Sequence, residues 1–135
     1  MFDWAKPTVQ LLGRYQPWHD GHTALFKKAL EKAGQVCIMC RDVGGTDAGV
    51  EGQEDNPFSF GEVIDRITRS LGEEGFVSNV DYVIMKVPNI IDISYGRTVG
   101  YTKSGYTFTR HDLGKEIHEI SATKIRADMR SRGEL

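Results

Sequence analysis

Between Thr8 and Val87, short apolar and β-branched runs alternate with amphipathic stretches, and that alternation restricts the fold more than any other feature. Thr8-Val9-Gln10-Leu11-Leu12, ended by Gly13, predicts a strand. His22 to Ala33 sets Ala24, Leu25, Ala29, Leu30 and Ala33 at helical spacing, and Gly34 reads as the glycine that stops the helix. Gln35 to Cys40 predicts a second strand. Ser59-Phe60-Gly61-Glu62 is a capping box, and the helix it opens places Val63, Ile64, Ile67 and Leu71 on one face. Asp81 to Val87 predicts a third strand, closed by Pro88. Strand, helix, strand, helix, strand is the order of a parallel sheet with helical crossovers, and such sheets bind ligands beyond the carboxyl ends of their strands. The loop from Gly13 to Gly21 falls there.

The remainder is less regular. Arg41 to Pro57 is a Gly- and acid-rich loop, long for so compact a chain and therefore expected to serve function. Asn89 to Thr109 suggests short strands and turns, and Asp112 to Ile117 and Ser121 to Ser131 read as helices. No repeat or linker divides the 135 residues, so one domain over residues 1–135 is expected. Seventeen Lys and Arg against 19 Asp and Glu give a net charge of −2, which argues against nucleic acid or membrane as partner. The N-terminal segment lacks a signal-peptide pattern, and no apolar run approaches the ~20 residues of a membrane helix. Both cysteines lie in Cys37-Ile38-Met39-Cys40, a strand on which residues three apart face opposite ways, so they are expected to be core thiols. A cytoplasmic protein is the expectation, and a homo-oligomer is left open.

Two clusters carry chemistry. Gly13-Arg14-Tyr15-Gln16-Pro17-Trp18-His19-Asp20-Gly21-His22 ends in His-x-Gly-His between a strand and a helix. Gly21 permits a close backbone turn, the helix start offers N–H groups to an anion, and two imidazoles can donate to phosphoryl oxygens. In Ile120-Ser121-Ala122-Thr123-Lys124-Ile125-Arg126, Ser121 fits an N-cap. Thr123 then falls in the first turn, with Arg126 able to reach a phosphate held there.

Gly13 to His22 resembles the Gly-Arg-Phe-x-Pro-x-His-x-Gly-His signature of the HxGH nucleotidyltransferase superfamily, with Tyr15 in place of phenylalanine. Ile120 to Arg126 is similar to its Ile-Ser-x-Thr-x-x-Arg signature. Asn56-Pro57-Phe58-Ser59-Phe60-Gly61-Glu62 resembles the Asn-Pro-Phe-Thr-x-Gly-Glu segment of archaeal-type nicotinamide-nucleotide adenylyltransferases. The resemblance implies a Rossmann-like parallel sheet with helices on both faces, shortened between the third strand and the C-terminal motif. It also implies attack by a phosphorylated small-molecule acceptor on the α-phosphorus of an NTP carrying Mg²⁺, with release of pyrophosphate. Carried over, His19 and His22 contact the triphosphate near the reacting bond, while Ser121, Thr123 and Arg126 hold the β- and γ-phosphates. Gly13, Arg14, Tyr15 and Gly21 complete the phosphate-reading loop. No metal ligand is implied in the protein itself.

Asn89 to His118 departs from the family by lacking a clear helix and fourth strand, which leaves the acceptor undefined. Arg41 and Arg97 are the candidates for its phosphate. The Asn-Pro-Phe segment favours ATP, with a CTP-dependent cytidylyltransferase acting on a phosphorylated alcohol as the alternative. A nucleotide-binding module without turnover is the alternative from outside enzymes. The absence of Gly-x4-Gly-Lys-[Ser/Thr] excludes a P-loop kinase.

Overall fold

The computed structural model of the protein describes residues 1–42, 54–94, 96 and 108–135. Three strands, β1 (Val9–Gly13), β2 (Val36–Arg41) and β3 (Tyr82–Val87), form a parallel sheet in the order β1-β2-β3. Val9 lies opposite Val36, which in turn lies opposite Tyr82, so the strands start level. Helix α1 (Asp20–Ala33) connects β1 to β2, and α2 (Phe60–Glu73) lies between β2 and β3 in the chain. A short helix α3 (Lys115–His118) and the longer α4 (Ala122–Ser131) follow.

Both crossovers step the same way across the sheet, and right-handed connections then put α1 and α2 on one face. Val36, Ile38 and Cys40 of β2, with Leu11 and Tyr82, point into a core shared with Phe26, Ala29, Val63, Ile67, Leu71 and Met129. Val63, Ile67 and Leu71 repeat every four residues along α2 and are buried, as the periodicity predicted. The other face carries Gln10, Cys37, Met39 and Met85, which are half-buried or exposed, together with Val83 and Val87, which are buried. Helical cover of the sheet is therefore realised on one face among the described residues. The sheet is α/β and parallel, in keeping with a Rossmann-like fold.

Several boundaries differ from the sequence reading for identifiable reasons. The strands begin one residue later than expected. Before β2, the Gln35 amide turns aside to donate to Asp3 O and Thr8 Oγ1, at 2.6 and 2.7 Å. Helix α1 starts at Asp20 rather than His22, because His19 is its N-cap. The helix expected over Asp112–Ile117 shrinks to Lys115–His118. There Asp112 accepts from Gly114 N at 3.0 Å, and Gly114 takes a left-handed φ of +91°, which prevents earlier helical turns. Cys40 is buried as expected, with its thiol pushed up to about 12 by burial and by Cys37. Cys37 is instead half-buried on the opposite face, its Sγ 3.5 Å from Met85 Sδ. Residues 43–53 of the Arg41–Pro57 loop, and residues 95 and 97–107 of the Asn89–Thr109 stretch, lie outside the described residues.

Candidate active site

The loop leaving β1 is shaped by one aromatic ring. A Cβ at Gly13 would meet the Tyr15 ring at 2.9 Å, so glycine is needed for that ring to fold back over the strand end. Tyr15 adopts a φ of +55° and packs against Trp18 and His22, with ring centroids 5.0 Å away in each case. Trp18 Nε1–H donates to Thr23 Oγ1 at 2.9 Å, tying the loop to the first turn of α1. These buried aromatics form the floor on which His22 rests, and His19 stacks on His22 in turn.

His19 and His22 cap α1 reciprocally. Gly21 N–H donates to His19 Nδ1 at 3.0 Å, and His19 N–H donates to His22 Nδ1 at 3.1 Å. Each Nδ1 is thus an acceptor, so each neutral ring carries its proton on Nε2 and offers Nε2–H as a donor. The rings stack with centroids 3.9 Å apart. Burial, with His19 close by, pushes the His22 imidazole down to about 3. Burial also lowers His19, opposed in part by Asp20. Both rings are neutral at pH 7. Gly21 has a more particular purpose here than a free turn. A Cβ there would meet His19 Cε1 at 2.7 Å, so the missing side chain makes room for the capping imidazole. One amide expected to face an anion, that of Gly21, is accordingly taken by His19.

The C-terminal motif reaches this loop through Arg126. Ser121 caps α4, accepting from Lys124 N at 3.4 Å, and Ser121 and Thr123 are both exposed. Arg126, in the second turn, is 2% exposed. Its Nη1 donates to Gln16 O at 2.8 Å, and its Nη2 donates to Thr123 Oγ1 and Asp55 Oδ1, both at 3.3 Å. Its Nε is buried with no hydrogen-bond partner among the described residues. Arg14 donates to Asn56 Oδ1 at 3.3 Å. The signature loop, the Asn-Pro-Phe segment and the C-terminal motif therefore meet in one place, although Gln16 and Arg126 are 110 residues apart. Sequence reasoning brought Arg14, His19, His22 and Arg126 forward but missed Gln16, Trp18, Asp55 and Asn56. Gln16 and Trp18 stand at the variable positions of the signature; their position inside it was the available signal.

A separate cavity of about 590 Å³ opens at the carboxyl edge of the sheet, lined by Leu12, Arg41, Ile90, Asp92, Ile93 and Phe108 among others. Arg41 donates through Nη1 to Ile90 O at 3.4 Å, while its Nε is buried without a partner among the described residues. Arg97 lies outside the described residues. Among the described residues no group of three His, Cys, Asp or Glu side chains is arranged to hold a metal ion. Among them, too, no helix is long and apolar enough to cross a membrane.

The parallel α/β sheet and the convergence of the three motifs agree with the HxGH nucleotidyltransferase resemblance read from the sequence. The chain is similar to archaeal nicotinamide-nucleotide adenylyltransferases. It is 37% identical over 79 residues to that of Ignicoccus hospitalis, covering 58% of this chain and 43% of the relative. It is 33% identical over 122 residues to that of Methanococcus aeolicus, covering 86% of this chain and 64% of the relative. With the Saccharolobus solfataricus protein it shares 29% over 115 residues, covering 84% of this chain and 64% of the relative. The chain thus spans less than two thirds of the length of these relatives. No protein-family model matches it. It is a homologue of these archaeal proteins.

Proposed function

We propose that the chain transfers the adenylyl group of ATP to the phosphate of a nicotinamide nucleotide, releasing pyrophosphate. The acceptor follows from the names of the relatives. The observation that carries the chemistry is the reciprocally capped histidine pair. Two neutral imidazoles, each with its donor fixed on Nε2, give a triphosphate hydrogen bonds without presenting a proton for transfer. Charge that builds on phosphoryl oxygens during in-line attack meets donors already in place, which need no reorganisation. Arg126 adds a permanent cation whose Nε–H is unused by the described protein groups, and Arg14 adds a second cation. Ser121 and Thr123, exposed at the start of α4, are the hydroxyls for the leaving pyrophosphate.

The cavity beside Arg41 is the site proposed for the acceptor. Its walls are largely aliphatic with Phe108 at the rim, and Arg41 supplies the cation for the acceptor phosphate. Mg²⁺ arriving with the nucleotide belongs to this reading: among the described residues no His, Cys, Asp or Glu cluster is arranged to hold a metal ion, and this ion is commonly bound through substrate phosphates and water. When bound, it neutralises phosphate charge.

The test is pyrophosphate release from ATP and Mg²⁺ with nicotinamide mononucleotide, followed by detection of the dinucleotide. Release that requires CTP and a phosphorylated alcohol would make the chain a cytidylyltransferase. Tight ATP binding with no pyrophosphate from any acceptor would make it a binding module.

A further inference from the structure

The two site arginines share a support. Arg126 donates to Asp55 and Arg14 donates to Asn56, adjacent residues of one segment. That segment is fastened two residues further on. Gln16 Nε2 donates to Phe58 O at 3.0 Å, and Phe58 N–H donates to Gln16 Oε1 at 2.9 Å. A glutamine amide carries both a donor and an acceptor, so it pairs with the peptide groups of one residue as a neighbouring strand would. Gln16 is 7% exposed and Phe58 4%, so water does not compete for either bond. Arg66 lies over the Phe58 ring, its Cζ 4.4 Å from the ring centroid. The backbone carbonyl of Gln16 itself accepts from Arg126.

We propose that Gln16 is a positioning residue. Its side chain fastens the Asp55–Phe58 segment so that Asp55 and Asn56 hold Arg126 and Arg14 in the orientation in which they receive phosphate. This rests on the nucleotidyltransferase reading of the site. Arginine side chains lose much rotamer freedom when fixed, and a support that fixes them beforehand removes that cost from binding. Gln16→Ala isolates the effect, because the main-chain carbonyl that Arg126 uses survives the substitution while the two bonds to Phe58 do not.

Calorimetric titration of the whole chain with inorganic pyrophosphate and with ATP and Mg²⁺ tests it. Gln16→Ala is expected to weaken pyrophosphate binding about 10-fold. Gln16→Ala with Arg126→Lys is expected to lose less than the product of the two single losses, because both act through one contact. A merely structural glutamine gives losses that multiply. Should Gln16→Ala fail to fold, Gln16→Glu takes its place in the same cycle, because it keeps an acceptor for Phe58 N–H and loses the donor to Phe58 O. Wild-type affinity in Gln16→Ala, or multiplying losses in the cycle that folds, overturns the proposal while the functional reading stands. A wild-type chain that binds neither ligand overturns both.

Discussion

The neutral state of His22 makes stability depend on pH in a way that one substitution can isolate. In the folded protein the ring titrates at about 3, against 6.5 for an unperturbed imidazole, with burial as the main cause. The folded pKa is depressed, so below 6.5 the unfolded chain binds the proton that the folded chain refuses. Stability is complete above 6.5 and falls as the pH drops from there towards 3. One proton is worth at most about 1.4 kcal/mol per pH unit, so moving from pH 7 to pH 5 costs about 2 kcal/mol. Any folded value below about 4 gives the same figure over that window. His22→Asn removes the titration yet places an oxygen where Nδ1 accepts from His19 N–H, so the cap survives. Urea denaturation of both proteins at pH 7, 6 and 5 reads the difference. The stability gap between them should close by about 2 kcal/mol on acidification, since carboxylates and His19 contribute to both curves. Parallel loss in the two proteins would refute the burial argument and the tautomer assignment that depends on it.

Further expectations concern individual contacts. His22→Ala should lower kcat at least ~100-fold in a pyrophosphate-release assay, the scale for losing one fixed donor, with a smaller change in substrate affinity. Wild-type kcat should not fall as pH rises from 6 to 8, because the donors are already neutral Nε2–H groups; a decline centred near 6.5 would show that a cationic histidine is required. Arg126→Lys should weaken ATP and pyrophosphate by roughly 10-fold while sparing AMP, because lysine keeps charge but loses the planar fork; equal losses for ATP and AMP would place the side chain away from the leaving group. Gly21→Ala should cost about 1–3 kcal/mol in thermal unfolding, since its Cβ would meet the His19 ring at 2.7 Å; an unchanged Tm would mean the ring is not held there. Ile67→Ala, fully buried in the core, should cost about 2–5 kcal/mol by urea denaturation.

Much of the fold was legible in the sequence because its signals are local. Ser59 and Glu62 lie three residues apart and form the capping box that the sequence implied. Gly34 stops α1 with a left-handed φ of +80°. The three strands are short apolar runs bounded by turn residues, and each begins one residue later than the pattern implied. The helix expected over Asp112–Ile117 was over-read, since a helical pattern does not reveal the turn that Asp112 and Gly114 make. In the site, the sequence named the histidines and Arg126 but not their state.

What the sequence determined by itself is the order of elements and the place of the His-x-Gly-His turn between a strand and a helix, because capping and periodicity act within a few residues. The reciprocal cap that fixes which ring nitrogen each histidine offers is itself local, two and three residues apart, and the tertiary structure supplied its geometry. Only the tertiary structure decided that Arg126 is buried against Gln16 and Asp55, and that Gln16 fastens Phe58. Those contacts join residues 42 to 110 positions apart, and no local pattern encodes a hydrogen bond whose partner is supplied by another element.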